Sequence, residues 1–246
     1  MYPVGYDVAV SDTALQGATF LTAEWRHLAM INYAIDPAVL LPVVPRGTEL
    51  DLWQGEAYVS LVGFMFQDTR LLGVPIPFHR SFEEVNLRFY VRRGDKRGVV
   101  FIKELVPKAA VAAVARWVYR ENYEAVPMDH LVLEGGRVEY SWRYGGRTHH
   151  LAVHPEGPFE PLIPGTEPAF IAEHYWGYAA QRDGGTMEYQ VAHPPWRAAR
   201  VRTPEVDIDA AALYGAAYAP ALSAAPRSAF LAEGSAIAVG RGTRLG

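Results

Sequence analysis

The chain has 246 residues, half of them hydrophobic and 20% charged, enough apolar material for a sizeable core and too much for global disorder. A formal net charge of −4 with no basic face argues against nucleic acid as a partner. The lack of cysteine excludes disulfides, thiolate metal sites and a cysteine nucleophile, and fits a reducing compartment. The N-terminus has no basic segment followed by an apolar run, and no stretch of about 20 apolar residues is present to span a bilayer, so the expectation is a cytoplasmic protein with no membrane partner.

Residues 1–18 read as a peripheral lead-in. Phe20–Ile35 is apolar and β-prone. Asp36-Pro37 is a helix-start signal, with Asp as N-cap and Pro in the first turn, for a short helix over Ala38–Val44 that Pro45 closes. Glu56–Phe66 is apolar on both faces, the pattern of a strand buried on both sides. Leu71–His79 carries Gly73, Pro75 and Pro77 and reads as a loop. It leads into Phe82–Arg92, the strand around which the chain is organised. There Val85, Leu87, Phe89 and Val91 point one way, while Glu84, Asn86, Arg88 and Tyr90 point the other. One face is core; the other presents a carboxylate, an amide, a guanidinium and a phenol in a row.

Residues 93–98 form a polar hairpin turn, Gly98–Lys103 a return strand, and Pro107 to about Arg120 an Ala-rich helix. Strands are expected over 131–133, 137–144 and 147–154, with Gly145-Gly146 as a two-residue hairpin turn. Pro155–Pro168 reads as a loop. Ala169–Ala180 and Thr186–His193 flank a hairpin at Arg182-Asp183-Gly184-Gly185. Arg197–Arg202 is a further strand, Asp209–Ala219 a short helix and Ala236–Val239 a final strand. The sum is an α+β chain, mainly β, with two or three short helices on a barrel or curled sheet. It reads as one domain over 1–246, with a core at 20–202 and a C-terminal helix and closing strand at 203–246.

Four stretches together resemble the YqjF-like family of uncharacterised bacterial proteins. They are Glu24-Trp25-Arg26 with Val43-Val44-Pro45 and Glu49-Leu50-Asp51 behind it; Phe82–Arg92; Ala115-Arg116 through Tyr119 and Tyr123; and His193-Pro194-Pro195-Trp196. The similarity spans roughly residues 20–200. The family belongs to the acetoacetate decarboxylase-like superfamily, so the resemblance implies a conical antiparallel β-barrel around a small pocket. It also implies that Arg26 and Glu84 stand where that enzyme keeps a pocket arginine and glutamate, and that Ala115-Arg116-Trp117 stands for its Gly-Arg-Glu stretch. The position of the Schiff-base lysine falls on Tyr123. Two pocket residues are kept and the nucleophile is gone, which excludes decarboxylation through an imine there.

Glu84 and Arg88 lie four residues apart, about 13 Å, and cannot pair directly. An unpaired charge on a buried face costs several kcal/mol, so each needs another partner or a ligand. In the functional reading Arg26 grips a carboxylate and Glu84 exchanges a proton, which makes them the candidate catalytic pair. Tyr123, Asn86, Arg88, Tyr90, Arg116 and His193 are the candidate ligand-binding residues. In the alternative reading the same groups form a buried structural network, Tyr123 fills the volume of the missing lysine, Arg116 anchors its helix, and His193 stabilises a turn. Only three lysines exist, Lys96, Lys103 and Lys108, and none is placed for imine chemistry. His149, His150 and His154 do not make a metal site, because His150 and His154 are about 13 Å apart on one strand face. No phosphate-cradling loop, dinucleotide fingerprint or nucleophile elbow occurs, so no cofactor is expected. The expectation is a small carbonyl or carboxylate ligand. If the protein is an enzyme, its chemistry is lysine-independent lyase, isomerase or hydratase chemistry. The alternative is a non-catalytic ligand-binding or protein-interaction scaffold.

Overall fold

The structure, a computed structural model, describes residues 14–75, 79–118 and 121–245, without the side chains of 114–118. Most of the expected lead-in, together with Pro77, Tyr119 and Arg120, lies outside the described residues.

In chain order the elements are β1 (Thr19–Ile35), α1 (Pro37–Leu40), β2 (Glu49–Leu50), β3 (Ala57–Leu71), β4 (Val74–Pro75), β5 (Phe82–Arg93), β6 (Lys96–Val106), α2 (Ala109–Val118), β7 (Tyr123–Ala125), β8 (Met128–Val132), β9 (Val138–Tyr144) and β10 (Arg147–Val153). They continue with β11 (Glu156–Pro161), α3 (Glu167–Ala172), β12 (Trp176–Ala180), β13 (Thr186–Ala192), β14 (Arg197–Arg200), β15 (Glu205–Asp207), α4 (Ala210–Tyr214), α5 (Ala219–Ser223), β16 (Ser228–Gly240) and β17 (Thr243–Leu245). The fold is mainly β, as the strand patterns indicate. Asp36 caps α1, its carboxylate accepting from the Ala38 amide at 2.9 Å. Gly145 and Gly146 take φ of 58° and 79°, the paired positive values that a tight hairpin turn demands.

The strands form two sheets, one of 13 strands and one of four. In the larger, the order β16-β1-β3-β5-β6-β12-β13 is closed by a β13–β16 pairing at Val191 and Ala192, which makes a ring of seven strands. The smaller sheet, β15-β10-β9-β8, packs on the outside of the ring. The alternation of β5 therefore separates two cores. Val85, Leu87, Phe89 and Val91 face outward into a cluster with Tyr140, Trp142 and Leu151 of the small sheet. Phe82 and Tyr90 face inward into a second cluster with Phe64, Phe66, Phe170 and Tyr189. Leu87 and Phe89 are fully buried, each worth about 1.5–3 kcal/mol of transfer free energy. The two sheets come close at Gly63, where the Tyr140 ring lies against the backbone and its hydroxyl donates to the His27 carbonyl at 2.9 Å.

Four expectations are corrected. The Pro-rich stretch after Pro155 contains β11, an outer strand that among the described residues pairs with β14 alone, a position that tolerates proline. Ala169–Ala172 is helical: Glu167 and Pro168 open α3 before the chain extends into β12. The expected helix over Asp209–Ala219 is two short helices, α4 capped by Asp209 and α5 begun after Gly215. The last inner strand, β16, begins at Ser228, well before Ala236.

Candidate functional site

Inside the ring lies a cavity of about 180 Å3, walled largely by aromatic and aliphatic side chains. Its carboxyl groups come from β5, from β6, and from the segment joining α2 to β7. Glu84, Asn86 and Arg88 project into it from β5. Glu104 comes from β6, and Glu121 and Tyr123 come from beyond α2. Strand pairing sets this lateral row: Asn86 lies opposite Glu104, and Glu104 opposite Tyr123.

A bulge in the β5–β6 hairpin decides which β6 side chain faces the cavity. From the turn, Arg93 pairs with Lys96 and the register runs regularly to Arg88 opposite Phe101. The next pair is Leu87 with Lys103, so Ile102 is the extra residue. Without the bulge Asn86 would face Lys103. With it, Glu104 turns into the cavity and Lys103 turns outward, to the Tyr144 hydroxyl at 3.1 Å and Glu124 at 3.3 Å.

The carboxyl groups form a connected set. Asn86 Nδ2 donates to Glu84 Oε1 at 2.9 Å, and the Tyr123 hydroxyl donates to Glu84 Oε2 at 3.0 Å. Glu104 meets the same hydroxyl, and the Tyr189 hydroxyl donates to Glu121. Burial pushes Glu84 up to about 7 and Glu121 up to about 8, each against the pull of its hydrogen-bond donors. Glu104 is pushed well above the usual carboxylate range, first by burial and then by the neighbouring Glu121 and Glu84 carboxylates. With its proton retained, Glu104 donates to Tyr123 while Tyr123 donates to Glu84, a continuous path for a proton.

At the other side of the wall Arg88 is 8% exposed, its Nη2 contacting the Ile171 carbonyl at 3.5 Å. Its Nε is buried with no hydrogen-bond partner, as are Glu104 Oε2, Asn86 Oδ1, Thr69 Oγ1, Trp25 Nε1 and Trp176 Nε1. Buried polar atoms are normally satisfied, and this many in one cavity wall is a concentration of binding capacity. His174 adds an acceptor. Its Nε2 faces Asp51 at 3.2 Å, and burial together with Arg97 lowers its pKa to about 3, so the ring is neutral; the residue lines the cavity, and its buried Nδ1 has no hydrogen-bond partner.

The sequence-derived residues divide into three groups. Glu84, Asn86, Arg88 and Tyr123 come together in the cavity wall. Tyr90 belongs to a structural chain: its hydroxyl contacts Ser60 Oγ at 2.5 Å, Ser60 donates to Asn32 at 2.6 Å, and Asn32 donates to Ser228 at 2.9 Å. His193 is stacked on Trp196 with its Nδ1 at 2.9 Å from the Pro194 carbonyl oxygen, and burial lowers it to about 4; it braces the turn outside the cavity wall. Arg116 lies in α2, its side chain outside the described set.

Arg26 is separated from Glu84. It pairs with Met65, and Met65 with Glu83, so its row is the face of the sheet opposite to Glu84. There it binds Glu24 and the Gly234 carbonyl, at 3.3 Å. The expected bracket of Arg26 and Glu84 does not form, and Trp25 takes the inward position. The histidines of β10 are also placed: His149 is buried, with Nε2 at 3.1 Å from the Tyr144 carbonyl and Nδ1 accepting from the Asp209 amide at 3.1 Å. Among the described residues no cluster of three or more His, Asp or Glu is arranged to hold a metal.

Sequence reasoning missed Glu104, Glu121 and Tyr189. The only sequence cue for Glu104 was a carboxylate flanked by apolar residues in Ile102-Lys103-Glu104-Leu105-Val106, and the bulge hides its direction.

Solved structures similar in shape share this architecture. An acetoacetate decarboxylase from Legionella pneumophila superposes with a TM-score of 0.67 at 14% identity, covering 94% of this chain and 89% of that one. An acetoacetate decarboxylase-like enzyme from Sphingomonas wittichii RW1 gives 0.65 at 14%, covering 94% and 99%. The enduracididine biosynthesis enzyme MppR, solved with pyruvate, gives 0.65 at 13%, covering 100% and 99%. The uncharacterized protein YqjF of Bacillus subtilis (strain 168) is 34% identical over 86 residues, 35% of this chain and 36% of that protein. The match thus spans about a third of the curated relative's length. The family model of DUF2071, described as "Uncharacterized conserved protein (COG2071)", matches residues 22–236, and the chain belongs to that family.

Proposed function

We propose that the cavity binds a small carbonyl or carboxylate compound, with Arg88 taking its anionic or carbonyl oxygen and Glu84 exchanging a proton with it. The observation that carries this reading is Arg88 itself: a buried guanidinium with an unused Nε in the wall of an apolar cavity. A guanidinium there has been taken from water with one donor unspent, and a carboxylate or carbonyl oxygen is the group that uses it.

Glu84 supplies the acid–base capacity. A carboxyl that titrates near 7 populates both forms at neutral pH, so it can accept an α-proton or donate to a developing oxyanion. The Glu104–Tyr123–Glu84 path returns the proton within the site. Among the described residues no lysine lines the cavity; Lys96 is held by Glu188 at 2.7 Å and Lys103 points outward. The chemistry that fits is therefore proton transfer without an imine, in the lyase, isomerase or hydratase class. The fold likeness to acetoacetate decarboxylases and to an enzyme solved with pyruvate supports the ligand class.

The test is a thermal-shift and calorimetric panel of pyruvate, acetoacetate and short carboxylates on wild type, Arg88→Ala and Glu84→Gln. A ligand at about 100 times its Kd stabilises the fold by about 2.7 kcal/mol. The expected result is a shift that disappears in Arg88→Ala and persists in Glu84→Gln while turnover is lost. Binding unchanged by Arg88→Ala refutes the assignment. Borohydride with pyruvate is expected to leave no adduct on any lysine. A second reading, a protein kept for its scaffold, rests on Tyr90, whose hydroxyl is spent in a structural chain rather than on a ligand.

A further inference from the structure

The acidic side of the cavity is more heavily built than the proposed chemistry requires. One carboxyl suffices for proton transfer; here Glu84, Glu104 and Glu121 converge around Tyr123. Among the described residues none of the three has an ion-pair partner, and the cation that acts on Glu84 is Arg88, further along the same strand. Glu104 is 1% exposed and its Oε2 has no hydrogen-bond partner. A structural network could be assembled from amides and hydroxyls at no electrostatic cost, as Tyr90, Ser60 and Asn32 do at the far end of β5.

A second, independent feature is the aromatic lining beside these carboxyls. Phe64 lies directly opposite Glu84 in the β3–β5 pairing, and Phe82 is two residues before it on the same face. Phe66 stacks on Phe82 with ring centroids 4.7 Å apart, and Trp25 meets Phe64 edge-on at 5.2 Å. All of these rings line the cavity. Aromatic faces and carboxylates share one electrostatic property: both attract a cation, and the attraction strengthens where water is excluded.

We infer that this side of the cavity takes a protonated amine, so that the ligand is a small amino-carbonyl or amino-carboxylate compound with an apolar middle. The assignment of the carboxylate to Arg88 rests on the reading given under Proposed function; the ammonium site stands on Glu84, Glu104, Glu121 and the aromatic wall. The ammonium replaces protons that the carboxyl groups otherwise hold. Its binding therefore releases protons and tightens as pH rises. The titratable and charged groups lining the cavity with the ammonium are the three glutamates, the Tyr123 and Tyr189 hydroxyls, Arg88, His79 and the neutral His174.

The experiment is calorimetry on the full chain with β-alanine, γ-aminobutyrate and δ-aminovalerate, each against its amine-free counterpart propionate, butyrate or valerate, and with n-butylamine. Titrations run in two buffers of different ionisation enthalpy, across roughly pH 6 to 8 where the carboxyl groups titrate. The expected result is that an amino-carboxylate binds at least about tenfold more tightly than its counterpart, gains up to about tenfold per pH unit, and releases protons. Glu104→Gln and Glu121→Gln, which keep size and hydrogen bonding, each remove that advantage and leave carboxylate binding intact. Equal binding of the two series, or an advantage untouched by both variants, overturns the ammonium site while the Arg88 reading stands. Amino-carboxylate binding that weakens in Glu104→Gln but is unchanged in Arg88→Ala overturns the Arg88 reading alone. No binding by any compound overturns both.

Discussion

Glu84→Gln is expected to change the sign of its effect on stability with pH. The Glu84 carboxyl is 2% exposed and its pKa rises from 4.5 to about 7, with burial the largest cause. A group whose folded pKa is raised gives its full stabilisation below the unfolded value and loses it as pH climbs to the folded value. Above that, the folded state carries a buried carboxylate that the unfolded chain holds in water. The difference between 4.5 and 7 corresponds to about 3 kcal/mol at 1.36 kcal/mol per pH unit. Glutamine does not ionise, so the variant escapes that cost. It presents one acceptor where glutamate gives two, to Asn86 and Tyr123, a loss of about 1 kcal/mol. The variant is therefore less stable than wild type by about 1 kcal/mol near pH 3.5, below the unfolded value, and more stable by about 2 kcal/mol near pH 8.5. At about 2–4 °C per kcal/mol for a chain of this size, Tm falls slightly at the lower pH and rises by roughly 4–8 °C at the higher. Urea and thermal unfolding of both proteins at the two pH values measure this. A variant destabilised equally at both refutes the claim that Glu84 is a buried acid with a raised pKa.

Gly177→Ala places a methyl group inside the Tyr189 ring, the residue that holds Glu121; a cost of about 1–3 kcal/mol and weaker ligand binding are expected, read by urea unfolding and calorimetry. Gly63→Ala drives a methyl into Tyr140, whose Cγ lies 3.0 Å from the added carbon, and should cost about 1–3 kcal/mol with no effect on the cavity, measured by unfolding and ligand titration. Asp51→Asn removes the carboxylate that meets Arg97 Nε at 2.7 Å and His174 Nε2 at 3.2 Å, and should cost about 3–5 kcal/mol at neutral pH. Burial alone would raise Asp51, but its contacts with His174 and Arg97 hold it below 3.8, so its contribution is present above that value and lost as pH falls further. The gap between wild type and Asp51→Asn should therefore narrow as acid denaturation carries the pH below 3.8.

The strands and the organising role of β5 were legible because period-two alternation and glycine turns are local signals. The polar row of β5 was correctly seen to face inward as far as Glu84, Asn86 and Arg88. That Tyr90 leaves the site was not readable, because its partners Ser60 and Asn32 lie on two other strands. Arg26 was misplaced for a reason of register: β1 carries a bulge between Arg26 and Ala29, with His27 at φ 56°, and no residue count from Val43-Val44-Pro45 reveals which way a side chain turns before such a kink. Glu121 belongs to no strand pattern; only the return of the chain after α2 brings it to the cavity. Local chemistry thus gave the elements, whereas the membership of the site depended on pairing between distant strands.

The bulge at Ile102 makes the hairpin behave like a reading frame for the pocket. Adding one residue to β6 between Phe101 and Ile102, with the bulge kept at a single residue and the turn and β5 untouched, exchanges Glu104 for Lys103 opposite Asn86, while Leu105 and Val106 merely trade two apolar faces. The same letters then spell a cavity with an amine beside Glu84 in place of an acid. A single-codon insertion separates an acidic cavity wall from one that carries an amine. Within this architecture the nucleophile can be gained or lost by a shift in length, without any substitution at all.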